Sequence, residues 1–427
     1  MGIQLSLSRL APSPIAARQH TSRGHIGRPF TVSSIMLAVY VFTIIAWSQV
    51  SEQSAQYSRL AGLALTYVFL VEFLLARKRT IYLPTEVGPL VVFLLWCVAS
   101  LFWANGPAWS LMTIKTLAQL IVFWIISVNV MVFYGSIIPA IVGLLAGLVW
   151  AIFNAVKSNN MSLSQTTDTR IASLLSNANL YAVALGLGIL ASLYLYRFSP
   201  LLVRWFLIGF IILAVQQIFF FSGSRKGMIG VVLIFGFYWG IMLILNGRRH
   251  PGQIILFLLG IVVAYIAISW LIANSPFGDR LLGYRDEPSF LVRENLFDYS
   301  LEHWEQSPII GHGAKQFTAI YERDFGIVTY SHSNYLEILV NNGVVGLLIF
   351  YSFYALIAIK YAGAFLAHRA TVGDMAWAFT LIALFLMWDF AMVSLEEKLY
   401  WTMFAQLTAH CQILRRRISE TVRSSSS

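Results

Sequence analysis

The stretch Ser331-His-Ser-Asn-Tyr-Leu-Glu337 runs directly into the apolar Ile338-Leu-Val-Asn-Asn-Gly-Val-Val-Gly-Leu-Leu-Ile-Phe350, and Gly311-His-Gly313 stands shortly before it. A polar segment with a histidine here becomes a long apolar run. Similar runs recur along the chain, each about the 20 residues needed to cross a hydrocarbon layer. They are continuous rather than alternating, which favours helices over a closed barrel. The composition agrees: 58% of residues are hydrophobic and 11% charged, with mean hydropathy +0.72, against about 25% charged in a soluble domain.

The sequence therefore predicts an all-α polytopic membrane protein with about twelve spans. They fall near 31–49, 58–76, 87–104, 111–133, 136–156, 178–196, 201–221, 227–246, 252–273, 335–362, 374–394 and 398–414. The run 335–362 is long and glycine-interrupted. It reads as a short interfacial helix joined near Asn341-Asn-Gly343 to a membrane helix.

Lys and Arg in short loops mark the cytoplasmic side. With the amino terminus inside, that side receives Arg9, Arg18, Arg23 and Arg28, then Arg77-Lys-Arg79, Arg197, Arg204, Arg248-Arg249, Lys360, Arg369 and Arg415-Arg-Arg417. The expected organisation is a basic cytoplasmic tail (1–30), spans one to nine (31–273), one large, partly helical outer loop (274–334) between spans nine and ten, the last three spans (335–414) and a cytoplasmic tail (415–427). Both ends lie inside. The net charge of +10 records this orientation rather than a nucleic-acid partner. The acid-free first residues could mimic a transit peptide, and Met1-Gly-Ile-Gln-Leu-Ser6 fits a short myristoylation pattern; a plain basic tail is preferred to both. Cys97 and Cys411 fall in separate expected spans, too few for a disulfide framework or a zinc cluster.

Polar clusters gather on the outer side. One is Asp168-Thr-Arg170 with Ser176-Asn-Ala-Asn-Leu180, and a second is Ser222-Gly-Ser-Arg-Lys-Gly227. The third is the outer loop, where Phe290–Trp304 has the apolar spacing of an amphipathic helix lying over the membrane mouth. Ionisable groups near membrane depth cost about 2.5–3.5 kcal/mol each on insertion scales and mark sites. Arg225, at a helix start between Ser and Gly, suits an anion, or simply marks the helix end. Lys226 is expected to face the headgroups. His332 can take a proton near neutral pH, or serve only as a cap. Asn334 and Glu337 stand near enough to orient its ring, though Asn334 could equally cap the helix. His303, His312 and His332 fit no zinc spacing, and no phosphate loop is present, so neither a metal nor an ATP-driven pump is expected.

In this order the pieces resemble the O-antigen ligase and Wzy-type O-antigen polymerase superfamily of membrane glycosyltransferases. Arg170 with Ser176-Asn-Ala-Asn-Leu-Tyr-Ala182 is similar to its Arg…Asn-x-Asn segment, and Ser222-Gly-Ser-Arg-Lys-Gly227 to its Ser-Arg-Gly turn. Arg293-Glu-Asn-Leu-Phe297 followed by Ser307-Pro-Ile-Ile-Gly-His-Gly313 resembles its Arg-x-x-x-Trp…Pro-Leu-x-Gly-x-Gly run. Ser331–Glu337 with Gly343-Val-Val-Gly346 resembles its His-Asn-x-x-Leu…Gly-x-x-Gly helix. Lys226 stands where glycine is common, and Phe297 where tryptophan is common. The motifs span about residues 170 to 350.

The resemblance implies transfer of a glycan from a polyprenyl (undecaprenyl) diphosphate carrier to a sugar hydroxyl, on the periplasmic side of the bacterial inner membrane. The acceptor is a lipid A-core sugar for a ligase and the next lipid-linked repeat for a polymerase. It implies His332 as base, with Arg225 and Arg293 holding the diphosphate. Arg170, Asn334 and Glu337 are further substrate-pocket candidates, Arg280 and Arg285 are either diphosphate contacts in that pocket or a solvated face of the loop, and no cofactor or metal is expected. One large outer loop leans towards ligation in lipopolysaccharide biosynthesis; polymerisation of O-antigen or exopolysaccharide is the alternative within the family. A polysaccharide transporter or flippase is the competing class, but transporters gather polar groups at mid-membrane.

Overall fold

The computed structural model describes residues 31–47, 52–75, 80–162, 177–246 and 288–425, with Gly252, Ile255 and Ser269 as isolated points. Among the described residues all regular structure is helical. In chain order the helices are α1 (Val32–Trp47), α2 (Glu52–Leu75), α3 (Val87–Ala99), α4 (Pro107–Tyr134), α5 (Ile138–Ser162), α6 (Ala178–Tyr196), α7 (Leu201–Gln216), α8 (Arg225–Asn246), α9 (Pro288–Gln306), α10 (Gln316–Phe325), α11 (Asn334–Leu366), α12 (Val372–Trp388) and α13 (Lys398–Ser425).

Among the described residues, 7 helices are long and apolar enough to cross a membrane: those over 56–75, 107–134, 138–157, 178–196, 201–222, 225–245 and 334–366. Shorter apolar helices cover 32–47, 87–102 and 372–388. Each expected span other than 252–273, most of which lies outside the described residues, falls on a helix. The chain is a polytopic membrane protein. Its bundle has two kinds of surface. Leu63, Tyr67, Leu202 and Ile244 are largely exposed, as residues facing lipid are, while Trp124, Trp377, Trp388 and Trp401 are wholly enclosed.

The central contacts pair α1 with α5 and α2, α4 with α13, and α6 with α7 and α8; α12 lies on α8, and α11 lies on α3 and α9. Close approach needs small residues where helices cross. A Cβ on Gly143 of α5 would sit 2.2 Å from the Ala38 carbonyl oxygen of α1, and one on Gly230 of α8 would sit 2.9 Å from the Trp388 ring of α12.

The amphipathic helix expected near 290–304 is α9. It packs on the first part of α11 through Leu296, which joins Phe317 and Val340 in a small apolar cluster flanked by Tyr299, Trp304 and Tyr321. The break expected near Asn341-Asn-Gly343 is present: inside α11, Gly343 adopts φ 65° and ψ −171°. A break strands backbone groups on both sides, and inside a membrane protein they need protein partners. The turn 307–313 supplies them. The amides of His312 and Gly313 donate to the carbonyls of Val340 and Asn341 (2.9 and 2.7 Å), and the amides of Val344 and Val345 donate to the carbonyls of Pro308 and Ile309 (2.9 and 3.2 Å). The fit leaves no room for side chains: a Cβ on Gly343 would lie 2.2 Å from the Ile309 oxygen, and one on Gly311 would lie 2.5 Å from the Asn341 carbonyl carbon.

The expected span 374–394 ends earlier, at Trp388. Asp389 curls the chain. Its carboxylate accepts from Ser394 Oγ (2.6 Å), Tyr351 Oη (2.8 Å) and Asn334 Nδ2 (3.4 Å), so residues 389–397 form a loop across the head of α11.

Candidate active site

Two of the polar clusters read from the sequence meet directly. Asn177 caps α6, its Oδ1 accepting from the Asn179 amide (2.9 Å). Gly223 turns the chain between α7 and α8 with φ 56°, the left-handed region where glycine carries no Cβ penalty. Ser224 then stands ahead of α8. Its Oγ accepts from the Gly227 amide (3.3 Å) and donates to Asn179 Oδ1 (2.8 Å), which ties the heads of α6 and α8 together.

The third cluster arrives through a tight turn before α11. Ser331 Oγ donates to the Ser333 carbonyl (2.8 Å), Ser333 Oγ donates to the Asp389 carbonyl (3.3 Å), and the Ser331 amide donates to Glu337 Oε2 (2.9 Å). Between these serines His332 is held at φ 60°, a conformation non-glycine residues seldom take, though histidine is enriched there. Its half-buried ring packs on Tyr330, with centroids 4.3 Å apart.

The heads of α6 and α8 and the turn ahead of α11 line a cavity of about 420 Å³ together with Arg293 of α9, Lys315 and the 389–397 loop. One part of its wall holds Lys226, Arg293 and His332; Tyr330, Asn177 and Asn179 line it too, and the loop contributes Met392, Val393, Glu396 and Glu397. Burial, then the charges of Arg293 and Lys226, push the His332 imidazole from 6.5 down to about 4. The ring is therefore neutral at physiological pH, near the Arg293 guanidinium and the Lys226 side chain. The cation wall is the feature that suits a polyanion, since guanidinium forks match phosphate oxygens and stay charged.

Of the residues proposed from sequence, His332 and Arg293 line this cavity. Arg225 is half-buried at the first position of α8, next to Lys226. Glu337 and Asn334 are buried beneath the turn. Glu337 is engaged away from the imidazole: one oxygen takes the Ser331 backbone amide and the other takes the Asn341 side-chain Nδ2 (3.2 Å). Asn334 fastens the neighbouring loop, its Oδ1 accepting from the amides of Ser394 and Leu395 (3.2 and 3.1 Å). Arg170, Arg280 and Arg285 lie outside the described residues.

Lys226, read from sequence as facing the headgroups, instead lines the cavity, its ammonium donating to the Ala391 carbonyl. The first part of the 389–397 loop, residues 389–394, lies inside the expected span 374–394. Its only sequence signals were Asp389 and the run Ser394-Leu-Glu-Glu-Lys398. His303 and His312 point elsewhere: His303 Nδ1 is 3.0 Å from the Tyr299 carbonyl, and His312 Nε2 is 2.7 Å from the His303 carbonyl. Among the described residues no three His, Cys, Asp or Glu side chains group as a metal site.

A search of curated proteins finds none that matches this chain. Residues 210–351 match the family model described as O-antigen ligase. The matched segment holds the 222–227 turn, α9, the 307–313 turn, His332 and the broken head of α11, while the 389–397 loop lies beyond it. That segment, about a third of the chain, is similar to the O-antigen ligase family and carries most of the motifs in the order read from the sequence.

Proposed function

We propose that this protein is an inverting, metal-independent O-antigen ligase. It moves a glycan from undecaprenyl diphosphate to a sugar hydroxyl of lipid A-core, on the periplasmic side of the inner membrane. Members of the family are membrane glycosyltransferase-like enzymes. The observation that carries the reading is that His332, Arg293 and Lys226 share one cavity. A base and a diphosphate clamp are the two elements such a transfer needs.

In the proposed step the acceptor hydroxyl oxygen attacks the anomeric carbon from the face opposite the leaving group. The carbon–oxygen bond to the diphosphate breaks, and its electron pair stays on the diphosphate oxygen. The hydroxyl proton passes to the neutral ring of His332. Arg293 and Lys226 stabilise the charge that builds on the departing diphosphate, as preorganised charges do in a water-poor site. Arg225, at the head of α8, adds positive potential. Glu337 is a positioning residue: by holding the Ser331 amide it sets the turn that presents His332.

A low imidazole pKa would make a weak base, but the donor corrects this. Burial and the two cations depress the pKa, and a bound dianionic diphosphate opposes the cation contribution.

The test is glycan transfer by purified protein in detergent, with lipid-linked donor and no ion gradient. Transfer that survives EDTA and is lost in His332→Ala supports the reading; loss of transfer with EDTA, or full transfer by His332→Ala, contradicts it. Cells lacking the protein should accumulate carrier-linked long polymer. Carrier-linked single units would indicate a polymerase instead.

A further inference from the structure

The cavity lining carries charged groups of both signs: Lys226, Arg293 and Lys315, and Glu396 and Glu397 of the loop ahead of α13. The two carboxylates are not equivalent. Glu396 is engaged on both oxygens, by Thr113 Oγ of α4 and by Lys315 Nζ (3.4 Å). The Glu397 carboxylate takes no hydrogen bond among the described residues, although its backbone is pinned by the Ser394 carbonyl and by the amides of Tyr400 and Trp401. It is thus a fixed, unengaged acceptor facing the cavity. It also lies close enough to Tyr330 for its charge to help raise that phenol's pKa, after burial, and Tyr330 is the ring against which His332 packs.

We propose that Glu397, with Tyr330 beside it, forms the acceptor subsite and binds hydroxyl groups of the acceptor sugar. This rests on the glycosyltransferase reading above. Of the two substrates such an enzyme takes, the diphosphate donor is repelled by a carboxylate and attracted to the cation wall. A neutral polyol gains from an ionised acceptor, because hydrogen bonds to charged groups are the stronger ones, and its ring can lie on an aromatic face. Glu397 therefore favours the acceptor over the donor at its own side chain, and Tyr330, packed on His332, keeps the attacking hydroxyl near the base. Its role is in binding, and the proton still passes to His332.

The experiment is two-substrate kinetics on purified protein, with undecaprenyl-diphosphate-linked glycan and acceptor glycolipid extracted from the cells that make it. Farnesyl diphosphate serves as a binding probe for the cation wall. Glu397→Gln should raise the acceptor KM about tenfold or more, leave the donor KM within about twofold, and bind farnesyl diphosphate at least as tightly as the parent. Glu397→Asp, which keeps the charge, should fall between. An unchanged acceptor KM overturns the subsite, as does a parallel weakening of acceptor and farnesyl diphosphate binding, which would indicate a merely structural role. If the parent protein neither transfers glycan nor binds farnesyl diphosphate, the glycosyltransferase reading itself fails and the subsite falls with it.

Discussion

Ser224 Oγ donates to Asn179 Oδ1 across 2.8 Å, joining the head of α8 to the head of α6. Asn179 lines the cavity, and Lys226 projects into the same wall from the first turn of α8. This one bond therefore sets the spacing between two sides of the site. Ser224→Ala and Asn179→Ala should each lower kcat/KM for the donor. The double variant should be little worse than either single one, with a coupling of about 1 kcal/mol. Additive losses in a double-mutant cycle would show that the bond does not position the site.

The pH dependence follows from the cation wall. His332 is held at about 4 in the unliganded protein by burial, Arg293 and Lys226. The neutral base prevails above that value, so donor kcat/KM should be lost as pH falls through about 4. Bound diphosphate raises the imidazole pKa, so the acid limb of kcat should lie at higher pH than that of kcat/KM. Stability has the same sign. Because the folded pKa is depressed, the unfolded chain binds more protons between about 4 and 6.5. The contribution is full above the unfolded value and is lost as pH falls. Arg293→Ala should move the imidazole pKa upward, read by NMR titration.

Glu397 should titrate in the neutral range. Burial and the charge of Glu396 push its carboxyl up to about 7, so acceptor affinity should weaken as pH falls below that value. Glu397→Gln should flatten the pH profile of the acceptor KM, leaving that of the donor KM in place.

The glycines of the interlocked turn are expected to be intolerant of substitution. Gly343→Ala places a Cβ 2.2 Å from the Ile309 oxygen at φ 65°, and should reduce stability by more than about 3 kcal/mol or prevent folding. Gly363→Ala, in the same helix with open space around it, should be neutral or stabilising by up to about 1 kcal/mol. Thermal unfolding in detergent distinguishes the two.

The left-handed backbone at residue 332 makes a separate claim about stability. His332→Gly or His332→Asn should melt above His332→Ala, by the equivalent of about 1–2 kcal/mol, although all three should be inactive. Equal melting of the three would mean that the turn relaxes on substitution.

The spans were legible because a membrane demands long apolar runs, and Gly343 was legible because Asn-Asn-Gly interrupts one. The partner of that break was not, since nothing local pairs residue 343 with residue 309. The 389–397 loop was obscured by Phe390-Ala-Met-Val393, which continues the apolar run past Asp389. Lys226 was misread for a geometric reason. Neighbouring helix positions point about 100° apart, and the sequence does not show which of Arg225 and Lys226 faces inward. Glu337 was expected at the imidazole because it is nearby in sequence, but two backbone and amide donors claim it first.

The most direct measurement separates binding from chemistry in two variants. Farnesyl diphosphate affinity and glycan transfer are measured on purified His332→Ala and Arg293→Ala protein. His332→Ala should bind within about threefold of the parent yet lose about 10²–10⁴-fold in kcat. Arg293→Ala should lose about 10–100-fold in affinity. Full transfer by His332→Ala, or unaltered binding by Arg293→Ala, would contradict a histidine base beside an arginine-held diphosphate.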